Sequence, residues 1–366
     1  MFEIHTPSSM KKLTIVQVAP LEEMVPPKKY GGTELVVYNL TEELVKRGHK
    51  VYLIASGDSQ TSAQLIPIFE KSIRHFPFIK SDRTLESLRT VGVGEILKVL
   101  QNLKADIVQS HLGWRLLPFI HFIKQPVVIT LHGSLSRPYQ KDIHLLYRKY
   151  NYISISNNQR KPLSELNYVG NAYNGIDITK FDFSEKKGDY FAFLGRTSPE
   201  KGPLQAIQIA KAAKVKLKIA AKIDLVDKEF FEKEVKPLID QKQIEFLGEI
   251  DQKAKNNFLR NAIALLAPIQ WNEPFGLYFT ESMACGTPVI SFKRGSVPEV
   301  IKHGETGFFV KSGDIKAMIK IVNDMVAMPT EQYLAMRYAC RKRVIDYFTI
   351  SKMTDEYEKI YYKLVK

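Results

Sequence analysis

Cysteine is nearly absent. The 366 residues include two, Cys285 and Cys340, and neither stands in a metal-ligand spacing. Two are too few for a disulfide framework, and a reducing cytoplasm is the natural compartment. No stretch approaches the ~20 apolar residues that a membrane helix needs. The opening MFEIHTPSSMKKLTIVQV has an early acidic residue and only a short, β-rich apolar run, which is not a signal peptide. Residues 1–10 read as a loose leader, and the fold is expected to begin at Lys11.

Acidic residues are in deficit: 39 Asp and Glu against 53 Lys and Arg, a net charge of +14. There is no clustered basic arm and no basic motif interleaved with aromatics, so nucleic acid is not the expected partner. Two other partners fit the charge. One is an anionic small molecule such as a phosphorylated substrate. The other is peripheral contact with an anionic membrane face, presumed to be the inner one. Segments 71–89 and 137–149 scatter basic residues, and a solvated face explains each of them taken alone. GxGxxG is absent, which argues against a dinucleotide redox site.

What is present is alternation. Short apolar runs at 13–20, 50–56, 105–111, 126–132 and 150–156 read as strands. The segment 33–49 between the first two carries Leu35, Val36, Leu40, Leu44 and Val45 at helical period and stops at Gly48. Continuous apolar strands separated by helices imply a parallel sheet covered on both faces. A polar break, NGIDITKFDFSEKKG, spans 174–188. The alternation then restarts with strands at 190–195, 215–221, 243–248, 262–269 and 288–292. The expected architecture is α/β: two Rossmann-like parallel-sheet domains, 1–180 and 181–348, facing each other across a cleft. The tail, 349–366, reads as an amphipathic helix that packs back on the first domain or forms an oligomer contact.

In such sheets ligands bind outside the carboxyl ends of the strands. Gly31-Gly32 precede a helix start, where glycine permits close approach and the helix terminus favours an anion. A plain tight turn is the competing reading. His111 and His132 each end a strand, His132 as the better site candidate. RTSPEKG (196–202) offers an Arg196 fork and a Lys201 point charge beside a helix N-terminus, a diphosphate cradle. Lys222 ends the next strand. The loop at Glu249-Ile250 is placed to present backbone groups to a planar base.

The stretch NEPFGLYFTESMACGTPVI holds Glu273 and Glu281 with seven residues between them. Pro274 fixes a turn, and Gly276 permits close backbone approach. The N–H groups of Phe275, Gly276 and Leu277 can meet phosphate oxygens, and two carboxylates accept from sugar hydroxyls. A capping glutamate plus an exposed one is the plain alternative. Because Glu273 sits on a loop, its replacement is expected to spare the fold.

These residues resemble a known family. E-x7-E followed by ACGTPVI and GSVPEVI...GETGFFV, then GRTSPEKG, and the N-terminal YGGTE resemble a retaining glycosyltransferase of family 4, with the two-domain GT-B fold. The resemblance runs from Lys11 over nearly all of the chain. It implies that Arg196 and Lys201 hold a nucleotide diphosphate and Glu273 the transferred sugar. It further implies that Glu281 holds the ribose, that Gly32 approaches the diphosphate across the cleft, and that His132 touches the donor sugar. Arg196, Lys201, Glu273 and His132 would then serve catalysis, Gly31, Ile250, Phe275, Gly276 and Leu277 the donor, and His111 the acceptor side. No metal or other cofactor is expected, in keeping with the missing DxD triplet. The donor is expected to be a UDP-sugar, with GDP as the rival. The acceptor is a carbohydrate, a lipid-linked molecule or a small metabolite. A nucleotide-sugar epimerase of the same fold and a non-catalytic nucleotide-sugar-binding protein are the alternatives.

Overall fold

The computed structural model describes residues 11–28, 31–79, 81–136 and 138–365. The leader at 1–10 lies outside the described residues, as do Tyr30 of YGGTE and Lys80 and Arg137 of the basic segments.

Two parallel sheets are formed. The first contains β1 (Thr14–Val18), β2 (Lys50–Ala55), β3 (Gln64–Pro67), β4 (Ile107–Ser110), β5 (Val127–Leu131), β6 (Asn151–Ser154) and β7 (Tyr168–Asn171). Their order is β3-β2-β1-β4-β5-β6-β7. The second contains β8 (Phe191–Arg196), β9 (Leu217–Lys222), β10 (Ile244–Gly248), β11 (Leu265–Ala267), β12 (Val289–Phe292) and β13 (Gly307–Val310). Their order is β10-β9-β8-β11-β12-β13. The central strands are β-branched and apolar because helices cover both faces; Ile15, Val16 and Val18 of β1 are all fully buried.

Three strands, β3, β7 and β13, are not among the strands expected from the sequence, and each lies at a sheet edge. An edge strand is covered less completely, so QLIP and YVGN keep polar residues and show no long apolar signal.

The chain order reverses between β1 and β4 in the first sheet and between β8 and β11 in the second. A crevice opens at such switch points. The loops after β1, β4, β8 and β11 carry Gly31-Gly32, His111, Lys201 and Glu273 respectively, and Arg196 is the last residue of β8.

The last helix, Ile350–Leu364, begins at Thr349, whose hydroxyl accepts from the N–H of Lys352. It buries Met353, Tyr357, Ile360 and Tyr361 against Leu13, Ile15, Val128 and Ile153 of the first sheet. Arg47 fastens it from the first domain, at 2.5 Å from Glu358 and 2.8 Å from Asp355. Both cysteines are buried free thiols, and burial pushes Cys285 up to about 12.

Candidate active site

Arg196 is the last residue of β8, and a short turn, Pro199–Lys201, follows it. Gly202 closes that turn at φ 76°, and a Cβ there would lie 2.1 Å from the carbonyl oxygen of Pro268. Only glycine fits, so this loop is pressed against the one that leads to Glu273. Lys201 is 7% exposed and Glu273 is 6% exposed, and the Lys201 ammonium bonds Glu273 Oε2 directly. Trp271 Nε1 (3.2 Å) and the Tyr278 hydroxyl (3.1 Å) donate to the same oxygen. Lys201 Nζ also lies 4.5 Å from the Tyr278 ring centre. Glu273 is therefore held by three donors and is buried. Its replacement is expected from its loop position to spare the fold, and this burial adds a stability cost, because removal of one partner strands a buried charge.

Arg196 faces carboxylates as well: Asp224 at 3.3 Å, Glu200 at 3.5 Å and Asp227 at 3.7 Å. Lys222 pairs with Asp224 at 3.1 Å. Glu281 lies in the second turn of the helix Leu277–Ala284, and its Oε1 stands 2.5 Å from Lys255 Nζ. Arg196, Lys201, Lys222 and Glu281, the charged residues expected to form a cradle, are each paired with an opposite charge within the second domain.

The loop between Glu273 and the helix is pinned from behind. Gly276 has φ 81°, and a Cβ on it would lie 2.5 Å from the Phe279 ring. Phe275 is buried in the core of the second domain. Leu277 opens the helix, so its N–H has no intrahelical partner. Gly295 packs on Glu273 so closely that a Cβ would lie 2.3 Å from the Glu273 oxygen. Ser296 donates its N–H to Glu273 O (2.9 Å) and its hydroxyl to Phe275 O (2.8 Å). The GSVPEV motif thus shapes the Glu273 loop. Ile250 follows β10 half-buried against the second-domain core.

On the first domain, a Cβ on Gly31 would lie 2.6 Å from Pro27 Cβ. A Cβ on Gly32 would lie 3.7 Å from Leu277 Cδ1, so the two predicted donor loops meet across the domain boundary. His132 is partly exposed, and its Nε2 lies 2.8 Å from His111 Nδ1. His111 is buried, and its Nε2 lies 2.8 Å from Gln17 Oε1. With both nitrogens engaged, His111 has no group left for an acceptor. Glu299 of the second domain accepts from the N–H groups of Asn157 (2.8 Å) and Asn158 (2.6 Å) of the first.

The cleft is uneven. Between Ser134 and Glu273 the free volume is ≈ 10 Å³, about one water-sized sphere. Further along, Lys71, His75 and Lys28 face Lys222 and Glu249 across a cavity of ≈ 510 Å³, within the range of small-molecule sites. Trp271, Tyr278, Lys255, Gly295 and Glu299 are absent from the sequence-derived site. Trp271 and Tyr278 flank Glu273 in the sequence and could have been read as its donors. Lys255 and Glu299 give no such local signal.

Two Rossmann-like domains that meet at the carboxyl ends of their parallel strands, with a glycine loop on one side and an Arg/Lys/Glu cluster on the other, define a GT-B glycosyltransferase. The family description "Glycosyltransferase Family 4" matches residues 30–180, and "Glycosyl transferases group 1" matches residues 176–343. The chain is a GT-B enzyme of the glycosyltransferase family 4 type. It is 27% identical to the N-acetyl-alpha-D-glucosaminyl L-malate synthase of Bacillus anthracis, over 92% of this chain and 95% of that one. Over 26% of this chain, and 25% of that protein, it is 35% identical to the phosphatidyl-myo-inositol mannosyltransferase of Mycobacterium leprae. Among solved structures, sucrose-phosphate synthase from Thermosynechococcus elongatus superposes with TM-score 0.79 at 18% identity, covering 96% of this chain and 99% of that one. Anabaena HepE in complex with UDP-glucose superposes with TM-score 0.75 at 17% identity, covering 96% and 100%. No helix among the described residues is long and apolar enough to cross a membrane.

Proposed function

We propose that this glycosyltransferase moves a sugar from a UDP-sugar to a hydroxyl acceptor, with retention at the anomeric carbon. The observation that carries this reading is Glu273, buried and held by Lys201, Trp271 and Tyr278 beside the loop where Gly32 meets Leu277. A carboxylate held rigidly at a domain junction suits a sugar whose hydroxyls donate to it. HepE was solved with UDP-glucose, which favours UDP over GDP for the donor.

In this reading Arg196 and Lys201 leave part of their present carboxylate pairing and face the diphosphate. Charge grows on the leaving diphosphate as the glycosidic bond breaks, and two cations placed there stabilise that state more than the ground state. The diphosphate, on the same face as the incoming hydroxyl, takes its proton. Glu281 turns from Lys255 to the ribose hydroxyls. Glu249, next to Ile250 in the chain, borders the ≈ 510 Å³ cavity that would take the base. The first-domain wall of that cavity, with Lys28 and Lys71, is the acceptor side. An anionic small acceptor fits these lysines, and the named relative acts with malate. The reaction needs no metal, and the enzyme works in the cytoplasm, with peripheral contact at the inner membrane face if the acceptor is lipid-linked.

The first experiment is thermal unfolding with saturating UDP, GDP, ADP or TDP. A ligand at a hundred times its Kd adds about 2.7 kcal/mol to the folded state. A shift with UDP alone supports the reading. A shift with GDP alone renames the donor, and no shift with any of them removes the nucleotide from this cleft. Hydrolysis of UDP-glucose measured with and without EDTA tests the metal-free mechanism.

A further inference from the structure

His132 ends β5 with one ring nitrogen committed and one free. Its Nε2 meets His111 Nδ1, and His111 Nε2 meets Gln17 Oε1, both at 2.8 Å. Gln17 Nε2 then donates to the Tyr361 hydroxyl at 3.1 Å. Gln17, His111 and Tyr361 are buried, Gln17 and Tyr361 completely. Tyr361 belongs to the last helix, 344 residues from Gln17 in the chain. Buried polar groups must be satisfied one by one, and with the Gln17 amide oxygen toward His111 the protons follow along the row.

An amide oxygen only accepts, so His111 Nε2 carries the hydrogen between them. A neutral imidazole has one N–H, which leaves His111 Nδ1 a bare acceptor. The hydrogen between the two rings therefore belongs to His132 Nε2, and His132 Nδ1 is unprotonated. No partner for Nδ1 is found among the described residues. Burial pushes both rings below the ordinary histidine value, His132 to about 4, so both are neutral near pH 7.

We propose that Gln17, His111 and Tyr361 are positioning residues that hold His132 as the Nε2–H tautomer and present its bare Nδ1 to a hydroxyl of the bound substrate. The ligand class rests on the glycosyltransferase reading above. A bare nitrogen accepts from a sugar hydroxyl and repels a phosphate or carboxylate oxygen, since two lone pairs would face each other. His132 thereby sorts hydroxyl from anion at its place in the cleft. The last helix crosses back to the first domain with a hydroxyl that accepts from the Gln17 Nε2 group, while Gln17 Oε1 faces His111.

The test is a two-bond proton–nitrogen correlation spectrum of the protein labelled with ¹⁵N-histidine, with His132 assigned by the signals lost in His132→Asn. Wild type is expected to show His132 protonated at Nε2. Gln17→Glu, which keeps an acceptor toward His111, is expected to retain that tautomer. Gln17→Leu and Tyr361→Phe are expected to mix the tautomers and to lower kcat for UDP-glucose hydrolysis about tenfold, the loss of one hydrogen bond. A His132 protonated at Nδ1 in wild type overturns the proposal, as does an unmoved tautomer in both Gln17→Leu and Tyr361→Phe. If Gln17→Leu fails to fold, Tyr361→Phe decides alone. Wild type with the expected tautomer but with no binding of UDP or UDP-glucose overturns the glycosyltransferase reading, so the two failures are distinct.

Discussion

Lys201 and Glu273 stand 72 residues apart in the chain and form a buried ion pair at the cleft edge of the second domain. Stability and catalysis are tied together at this pair. Removal of one partner of such a pair costs about 3–5 kcal/mol, because the other charge stays buried and unpaired. Glu273→Ala is expected to abolish transfer and also to lower the urea midpoint. Glu273→Gln keeps a hydrogen-bonding oxygen for Trp271 and Tyr278 and loses only the charge. It is expected to lower kcat roughly 10²–10³-fold, the scale of one preorganised electrostatic contact, with a smaller stability loss. Product formation and urea unfolding on both variants check this. Normal turnover in Glu273→Gln removes Glu273 from the mechanism.

Arg196→Ala addresses the diphosphate. A hydrogen bond to a charged group is worth about 1.5–3 kcal/mol. Arg196 already faces Asp224 and Glu200, so binding exchanges one set of contacts for another. The expected loss in UDP affinity is near the lower end, about tenfold. Calorimetry reads it directly, and an unchanged Kd places the diphosphate elsewhere.

Two buried groups act on stability in opposite senses over overlapping pH ranges. Desolvation holds His132 down at about 4 in the folded state, against an unfolded value of 6.5. Its contribution is fully present above pH 6.5 and is lost as pH falls toward 4. Glu34 is raised to about 7 from 4.5, first by desolvation, with Glu22 and Glu23 adding to it. An acid raised on folding lowers stability as pH climbs from 4.5 through 7. One pKa unit is worth about 1.4 kcal/mol, so each contribution is on the order of 3 kcal/mol, and the two offset each other in wild type between the unfolded values of 4.5 and 6.5. Urea unfolding from pH 5 to 9 is expected to show Glu34→Gln gaining stability over wild type above pH 7. A Glu34→Gln curve parallel to wild type contradicts this.

The sequence reads best where burial is complete. β1, β8 and β12 announce themselves as mainly apolar runs, whereas the edge strands β3 and β7 do not, because water on one side relaxes their composition. The same contrast runs through the site. Arg196, Lys201, Glu273 and Glu281 carry their chemistry in their side chains and lie at strand ends, so position and residue type suffice to find them. What they touch depends on tertiary packing. Nothing local brings Lys255 to Glu281 or Gly295 to the Glu273 backbone. His111 was read as a ligand-facing group, and its burial shows only once Gln17 and Tyr361 are placed around it.

Glu299 is expected to set how tightly the two domains close. Its carboxylate caps the N-terminus of the first-domain helix Asn157–Arg160 with two N–H bonds and accepts from the Tyr173 hydroxyl at 3.0 Å. An anion at a helix N-terminus is favoured by the unpaired N–H groups and by the dipole. Three residues earlier in the chain, Ser296 grips the Glu273 loop. The domain contact and the carboxylate loop therefore share one short segment. Glu299→Ala removes the cap without opening a core cavity, since the side chain is only half-buried. We expect a loss of about 2 kcal/mol in stability, the order of one charge-assisted bond. We also expect kcat and KM for the sugar nucleotide to change together, as they do when closure assembles a site. Small-angle scattering is expected to show a larger radius of gyration in Glu299→Ala than in wild type, with the difference shrinking on addition of UDP. Unchanged scattering together with unchanged kinetics would mean that the domains are held by other contacts and that Glu299 is only a helix cap.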